Sequence, residues 1–300
     1  SWGITANVYG GDAADWIVIE GNRVFDNSSG ISGTSQVVVR DNEVWGQSIG
    51  IRVEAQALAQ GNLAWGNGTG IDMNGSNSNG VARDNRVWAN SVGMAGYNST
   101  FTGNQVYGNT VGIRDDGYGR VSNNLVYDNT SVGIQVNYSH SAGADGIVNN
   151  TVHQVGGRAV EVTSGNVVLR NNIIWSQGGT ALWVDSDSQG GFASDYNLFY
   201  LTDGASLAWW EDRLFADRTD WYFETGFDRN SLTGDPQFID INGGDGINGW
   251  DGSFPGPSQV IDDEDAGQVF TGSWTENGTK GYAGDFWQAP AGDGSATARW

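Results

Sequence analysis

The side chains able to do acid–base chemistry in this chain fall into register with one another. Counting alternate residues from a recurrent Gly–Ile pair, one outward column carries Arg52, Asp72, Arg114, Gln135, Glu161 and Trp183. The next carries Glu54, Asn74, Tyr97, Asp116, Asn137 and Asp185. The candidate catalytic group is Asp115, Asp116 and Glu161 with Arg114, and Tyr97 and Trp183 lie beside it as candidate substrate contacts. Two carboxylates flanking a glycosidic bond can supply an acid and a base. On rungs roughly 4.8 Å apart, Asp116 and Glu161 stand about 10 Å apart plus a lateral offset. That is at or beyond the upper end for an inverting pair and too wide for a retaining one. An elimination needs a base and a neutraliser, and only Arg114, Arg158, His140, His153 or a tyrosine could serve. The alternative is that these acids are a solvated surface.

Asp115 breaks a pattern. The column between the two outward ones reads Gly33, Val53, Met73, Gly96, Asp115, Val136, Val162 and Val184. The expectation is an inward, buried carboxylate bonded to backbone amides or to Arg114 or Arg120, because an isolated buried charge costs several kcal/mol. The competing reading is a bulge at Asp115-Asp116-Gly117 that turns both acids to solvent.

A third column is aromatic: Phe25, Trp45, Trp65, Trp88, Tyr107, Tyr127, His153 and Trp175. Parity sets it opposite a buried Val column, so it is expected outside and stacked, over about 34 Å. Such a strip binds sugar faces, seals a protein interface, or packs on itself. Trp45, Trp65, Trp88, Tyr107, Tyr127 and Trp175 are therefore candidate substrate-binding residues as well.

The elements that must position these columns are repeats. Anchor asparagines recur at Asn22, Asn42, Asn62, Asn85, Asn104, Asn124, Asn150 and Asn172. Each has an apolar residue three before it, another two after it, and a third nine or ten after it, as in Val121, Val126 and Ile134 around Asn124. Short apolar spikes with a period of about 20 are strands of a stacked solenoid, not helical turns. The predicted fold is all-β: a right-handed parallel β-helix of about 20-residue coils with an irregular aromatic-rich C-terminal segment. The asparagines should form a corner ladder, and the Gly before Ile should supply a bend.

The Asn-x-Val-x-x-Asn-x-x-x-Gly-Ile sentence resembles the β-helix repeats of the pectin-lyase-like superfamily, over about residues 3–199. Ser194–Tyr200, Thr225–Asp228, Asn230–Leu232 and Gly234–Phe238 resemble the closing segment of secreted bacterial members. Asp262–Trp300, with Thr271-Gly272-Ser273-Trp274, Gly281-Tyr282 and Gly292-Asp293-Gly294, looks like the opening of a golvesin-type, carbohydrate-binding-like domain. The superfamily holds lyases, hydrolases, epimerases, adhesins and inert stalks, so it implies a fold more than an activity. No catalytic motif of the superfamily appears intact. The resemblance implies a polysaccharide-binding or polysaccharide-active protein, a lyase or glycoside hydrolase, in an extracellular or cell-surface setting. The alternative is a structural or filament protein that self-associates through open coil ends or the aromatic strip.

The expected division is a β-helix over 1–200, a capping segment over 201–258, and a partial golvesin-like segment over 259–300. Trp2-Gly3-Ile4 is expected to occupy the Gly–Ile position of a coil whose earlier half is missing. The repeat is expected to stop at Leu201, with a short helix over Ala208–Phe215 and an aromatic block covering the coil end. Asp240, Asn242, Asp245, Asn248 and Asp251 offer oxygen ligands for Ca²⁺, though off the EF-hand spacing, and a plain acidic loop is the alternative. A net charge of −21 with 14 basic residues disfavours nucleic acid and repels anionic polymers unless Ca²⁺ bridges them. No apolar run reaches the length of a membrane span.

Overall fold

A computed structural model describes residues 2–7, 16–75, 79–140 and 146–238, together with the backbone of four short strands beyond them. Residues 1–237 and 238–300 form two separate compact units. The first is a right-handed parallel β-solenoid of about 8 turns of roughly 22 residues. Its three faces are sheets of 11, 9 and 10 strands among the described residues, all pairing in parallel except the last strand of the first, which is antiparallel. The first face runs from Trp2–Asn7 to a terminal hairpin at Arg213–Phe215, the second from Ile17–Glu20 to Ala193–Asp195, and the third from Arg23–Phe25 to Leu232–Thr233.

The three apolar columns fill the interior. Ile31, Ile51, Ile71, Met94, Ile113 and Ile134 are completely buried, as are Val44, Val87, Val106 and Val126. Volumes compensate between columns. Phe101 follows Ala59 and Ala82 in its own column, and its ring tip would lie 2.8 Å from a Cβ at Gly96. An added methyl there would overpack the coil.

The anchor asparagines form an unbroken ladder from Asn22 to Asn197, each Nδ2 donating to the next Oδ1 at 2.9–3.1 Å. From Asn42 on, the buried amides also donate to backbone carbonyls, as Asn124 does to Phe101. Buried polar groups are tolerable only when paired in this way. A second ladder, Gln47–Asn67–Asn90–Asn109–Asn129, runs along the next corner.

The Gly of each Gly–Ile pair does not supply a bend. Gly50, Gly70, Gly93 and Gly112 sit inside strands at ordinary φ, and a Cβ at any of them would lie 2.5–2.6 Å from the carbonyl of the next rung. Close approach is the reason for glycine there. The bend comes one residue before each anchor, where Gly21, Asp41, Gly61, Asp84, Gly103 and Asn123 all take φ between 54° and 67°.

The solenoid continues past Leu201. Ser206–Trp210 is a strand, not a helix, and pairs in parallel with Thr180–Val184, placing Ala208 on Leu182 and Trp209 on Trp183. Leu207 and Ala208 are buried, so packing on the rung below overrides local helical propensity. The chain then reverses through Arg213–Phe215 into one helix, α1 (Arg218–Thr225). Asp217 caps its N-terminus by accepting from Thr219 and Asp220, and Gly226 ends it at φ 76°. Trp221 of α1 is completely buried and joins Phe199 and Phe215 in the core, closing the coil end. Open solenoid ends need such a cap.

In the second unit two antiparallel strand pairs are described, Val269–Thr271 with Thr297–Arg299 and Thr275–Asn277 with Phe286–Gln288.

Candidate functional site

Asp115 points into the coil and is completely buried. Strand alternation carries it there, between Gly96 and Val136 in the inward column. Its Oδ1 accepts from the Gly117 amide at 2.9 Å, and its Oδ2 lies 2.7 Å from Nε2 of His140. Of the two expected kinds of partner, the backbone amide is present and the arginine is not. Arg114 faces outward to Asp116, and Arg120 is exposed. His140 lies on the longest insertion in the repeat and is itself buried. Gly119 is tied to the arrangement, because a Cβ there would meet the Asp115 carboxylate at 2.5 Å.

The outward acids are paired. Asp116 receives Asn74 at 2.8 Å and Asn137 at 3.2 Å, and is 3.1 Å from Arg114. Glu161 receives Gln135 at 3.0 Å and contacts Arg158. Asp72 holds Arg52 at 2.6 Å. Register places Glu161 beyond Arg114 and Gln135, whereas Asp116 belongs to the column of Asn137, so the two acids do not face one another across a cleft. Asp185 is exposed. A groove of about 420 Å³ along the second ladder corner is lined by Asn67, Asn90, Ser91, Asn109, Thr110 and Thr130 and by no ionisable side chain.

The aromatic column lies outside the core, as parity requires, but much of it is not exposed. Ring centroids are 4.7–5.9 Å apart and planes within 11° from Phe25 through Trp45, Trp65, Trp88 and Tyr107 to Tyr127. Rung spacing matches the stacking distance, so inner rings cover both faces of their neighbours. Trp88 and Tyr127 are 1% and 2% exposed. Burial, with the neighbouring Tyr107, pushes the Tyr127 hydroxyl above its usual range. His153 tilts against Trp175, which meets Tyr200, three residues after Asn197 and so one more rung of the same column. Trp183 stacks on Trp209 at 4.6 Å with the Arg158 guanidinium 3.7 Å from its ring centre.

Three tyrosines do gather in the open. Tyr97, Tyr118 and Tyr138 are 39%, 43% and 54% exposed, with centroids 5.6–6.4 Å apart. They border the Asn74–Asp116–Asn137 row and stand in the same stretch of coils as Asp115 and His140. Tyr118 escaped the sequence pattern because its φ of 55° takes it out of strand alternation.

A second buried carboxylate was also missed. Asp228 Oδ1 accepts from Ser194, Ser231 and Asn197 at 2.6–3.1 Å, and Oδ2 accepts from the Trp221 indole at 2.9 Å. Ser231 takes the Asn197 amide at 2.8 Å. Asp228 and Ser231 thus stand where the next ladder asparagine would be.

Two family models match the chain: "Right handed beta helix region" over residues 88–195 and "Periplasmic copper-binding protein (NosD)" over residues 5–130. No curated protein and no solved structure matches it. Neither family model reaches the segment with golvesin-type resemblance.

The donors among the described residues do not fit copper. Among the described residues no group of three or more His, Cys, Asp or Glu side chains could hold a metal. The chain has no cysteine, Met73 and Met94 are buried in the core, and both histidines already face acids. The Asp240, Asn242, Asp245, Asn248 and Asp251 group lies outside the described residues. No helix among the described residues is long and apolar enough to cross a membrane.

Proposed function

We propose, starting from a chain that is a pectin-lyase-like β-helix repeat protein, that it works in the periplasm or outside the cell and holds a polysaccharide without cutting it. The observation that carries this reading is the group of exposed tyrosines beside the Asn74–Asp116–Asn137 row. Tyrosine rings offer flat apolar faces for the C–H faces of a pyranose, and the amide and carboxylate oxygens offer partners for its hydroxyls. Against cleavage stand the pairing of Asp116, Glu161 and Asp72 and the lack of a facing second acid. The acidic net charge favours a neutral polymer.

The test is retention of the protein on a panel of neutral and acidic polysaccharides, with and without Ca²⁺. The Ca²⁺ arm also tests the Asp240–Asp251 loop as a hard-cation site. Wild-type retention on a neutral polymer should be lost in Tyr97→Ala/Tyr138→Ala. Equal retention of the variant would overturn the assignment of the site.

A structural stalk is the second reading. Its contact surface would be the outward edge of the aromatic column, where Trp45, Trp65 and Trp175 stay partly exposed. Concentration-dependent self-association in sedimentation would support it.

A further inference from the structure

The three exposed tyrosines invite a chemistry other than sugar contact. The chain has no cysteine, so a disulfide cannot staple its coils. Tyr97 and Tyr118 meet edge to face at 5.6 Å between centroids, and Tyr118 and Tyr138 lie 6.1 Å apart at 49°. Each comes from a different turn of the solenoid and each is accessible. The backbone is shaped to gather them. Tyr118 sits at φ 55°, rare for a residue with a side chain, and a Cβ at Gly117, φ 126°, would lie 2.7 Å from Tyr138.

We propose that Tyr97, Tyr118 and Tyr138 form an oxidative cross-linking site, where two of the three couple to a dityrosine that joins successive coils. The oxidant is hydrogen peroxide acting through a one-electron peroxidase. Each of two tyrosines loses one electron and its phenolic proton. The two phenoxyl radicals form a carbon–carbon bond between ring positions ortho to oxygen, and each coupled ring carbon passes its hydrogen to the oxygen, restoring both phenols. The peroxide takes up two electrons and two protons and leaves as two waters. The protein loses two hydrogen atoms in all.

Two internal comparisons set this site apart. Tyr107 and Tyr127 are closer, at 4.7 Å, but they stack face to face and are buried, so an oxidant cannot reach them. Tyr196 is 56% exposed but has no ring partner among the described residues. The proposal rests on ring geometry and access alone, and does not depend on polysaccharide binding.

The experiment treats dilute protein with horseradish-type peroxidase and hydrogen peroxide, then maps linked peptides in the monomer fraction by mass spectrometry. The expected product is a pair of peptides, short of two hydrogens, that joins two of these three tyrosines. It should be absent from a Tyr97→Phe/Tyr118→Phe/Tyr138→Phe variant and unchanged in Tyr196→Phe. A link closing a loop of about 20 residues should raise Tm by about 5–10 °C in wild type and not in the triple variant. Links only between molecules, links centred on Tyr196, or an unlinked monomer would each overturn the proposal.

Discussion

Nε2 of His140 lies 2.7 Å from Oδ2 of Asp115, with side-chain exposures of 1% and 0%. An insertion that interrupts the repeat thus reaches back to set an imidazole beside the acid that interrupts the apolar column. Removing one partner leaves the other buried polar group without it, which costs about 1–3 kcal/mol. Urea melts of His140→Ala and of Asp115→Asn should both show a loss of this order. Asp115→Val/His140→Leu, which restores the apolar column, should lose less than the two single changes added together. A strictly additive double variant would mean that the two side chains are not coupled.

Asp228 should be as sensitive as the ladder it ends. It accepts from Ser194, Asn197, Ser231 and Trp221, and leaving a buried donor without its acceptor costs about 1–3 kcal/mol. Asp228→Ala should destabilise the last coils first. Hydrogen exchange should speed up over residues 193–202 while amides near Asn62 stay protected. Uniform protection would show that the cap does not depend on this carboxylate.

Much of this was legible in the sequence, because each rung repeats the same constraint. Three apolar columns, the first asparagine ladder, the outward ring column and the inward direction of Asp115 all follow from period and parity. What happens once in the chain was not legible. His140 lies on an insertion with no period, and Asp228 replaces a ladder asparagine at a single place. The Ala208–Phe215 segment carries no repeat signal, so the strand it adds to Thr180–Val184 is decided by packing on that rung.

A contrast between glycines tests the close-approach reading. Gly112→Ala puts a Cβ 2.5 Å from the Gly133 carbonyl and should cost about 1–3 kcal/mol. Gly156, at ordinary φ with nothing within 4 Å of its added Cβ, should accept alanine with little change or a small gain. Equal costs at the two sites would contradict the packing argument.

Acid should loosen the C-terminal closure through Asp195. Burial works to raise this carboxyl but is outweighed by the Asn230 side chain and amide, the Tyr196 amide and the charge of Arg170, leaving its pKa below the usual carboxylate value. A folded-state pKa held down contributes stability that is present above the unfolded value of about 3.9 and is lost as pH falls through the lower folded value. Asp195→Asn should therefore lower Tm at pH 5–7, with the difference from wild type shrinking below about pH 4. A difference that grows on acidification would contradict the sign.

In the function proposed above, the exposed tyrosines hold a neutral polysaccharide that the protein does not cut. The most direct measurement incubates wild type and Tyr97→Ala/Tyr138→Ala with the polymer that retains the wild type. Bound protein and newly formed chain ends are then read from the same sample. Wild type should bind, the variant should bind at least tenfold more weakly with an unchanged urea midpoint, and neither protein should produce new reducing or unsaturated ends. New chain ends that accumulate with wild-type protein, or undiminished binding by the variant, would contradict it.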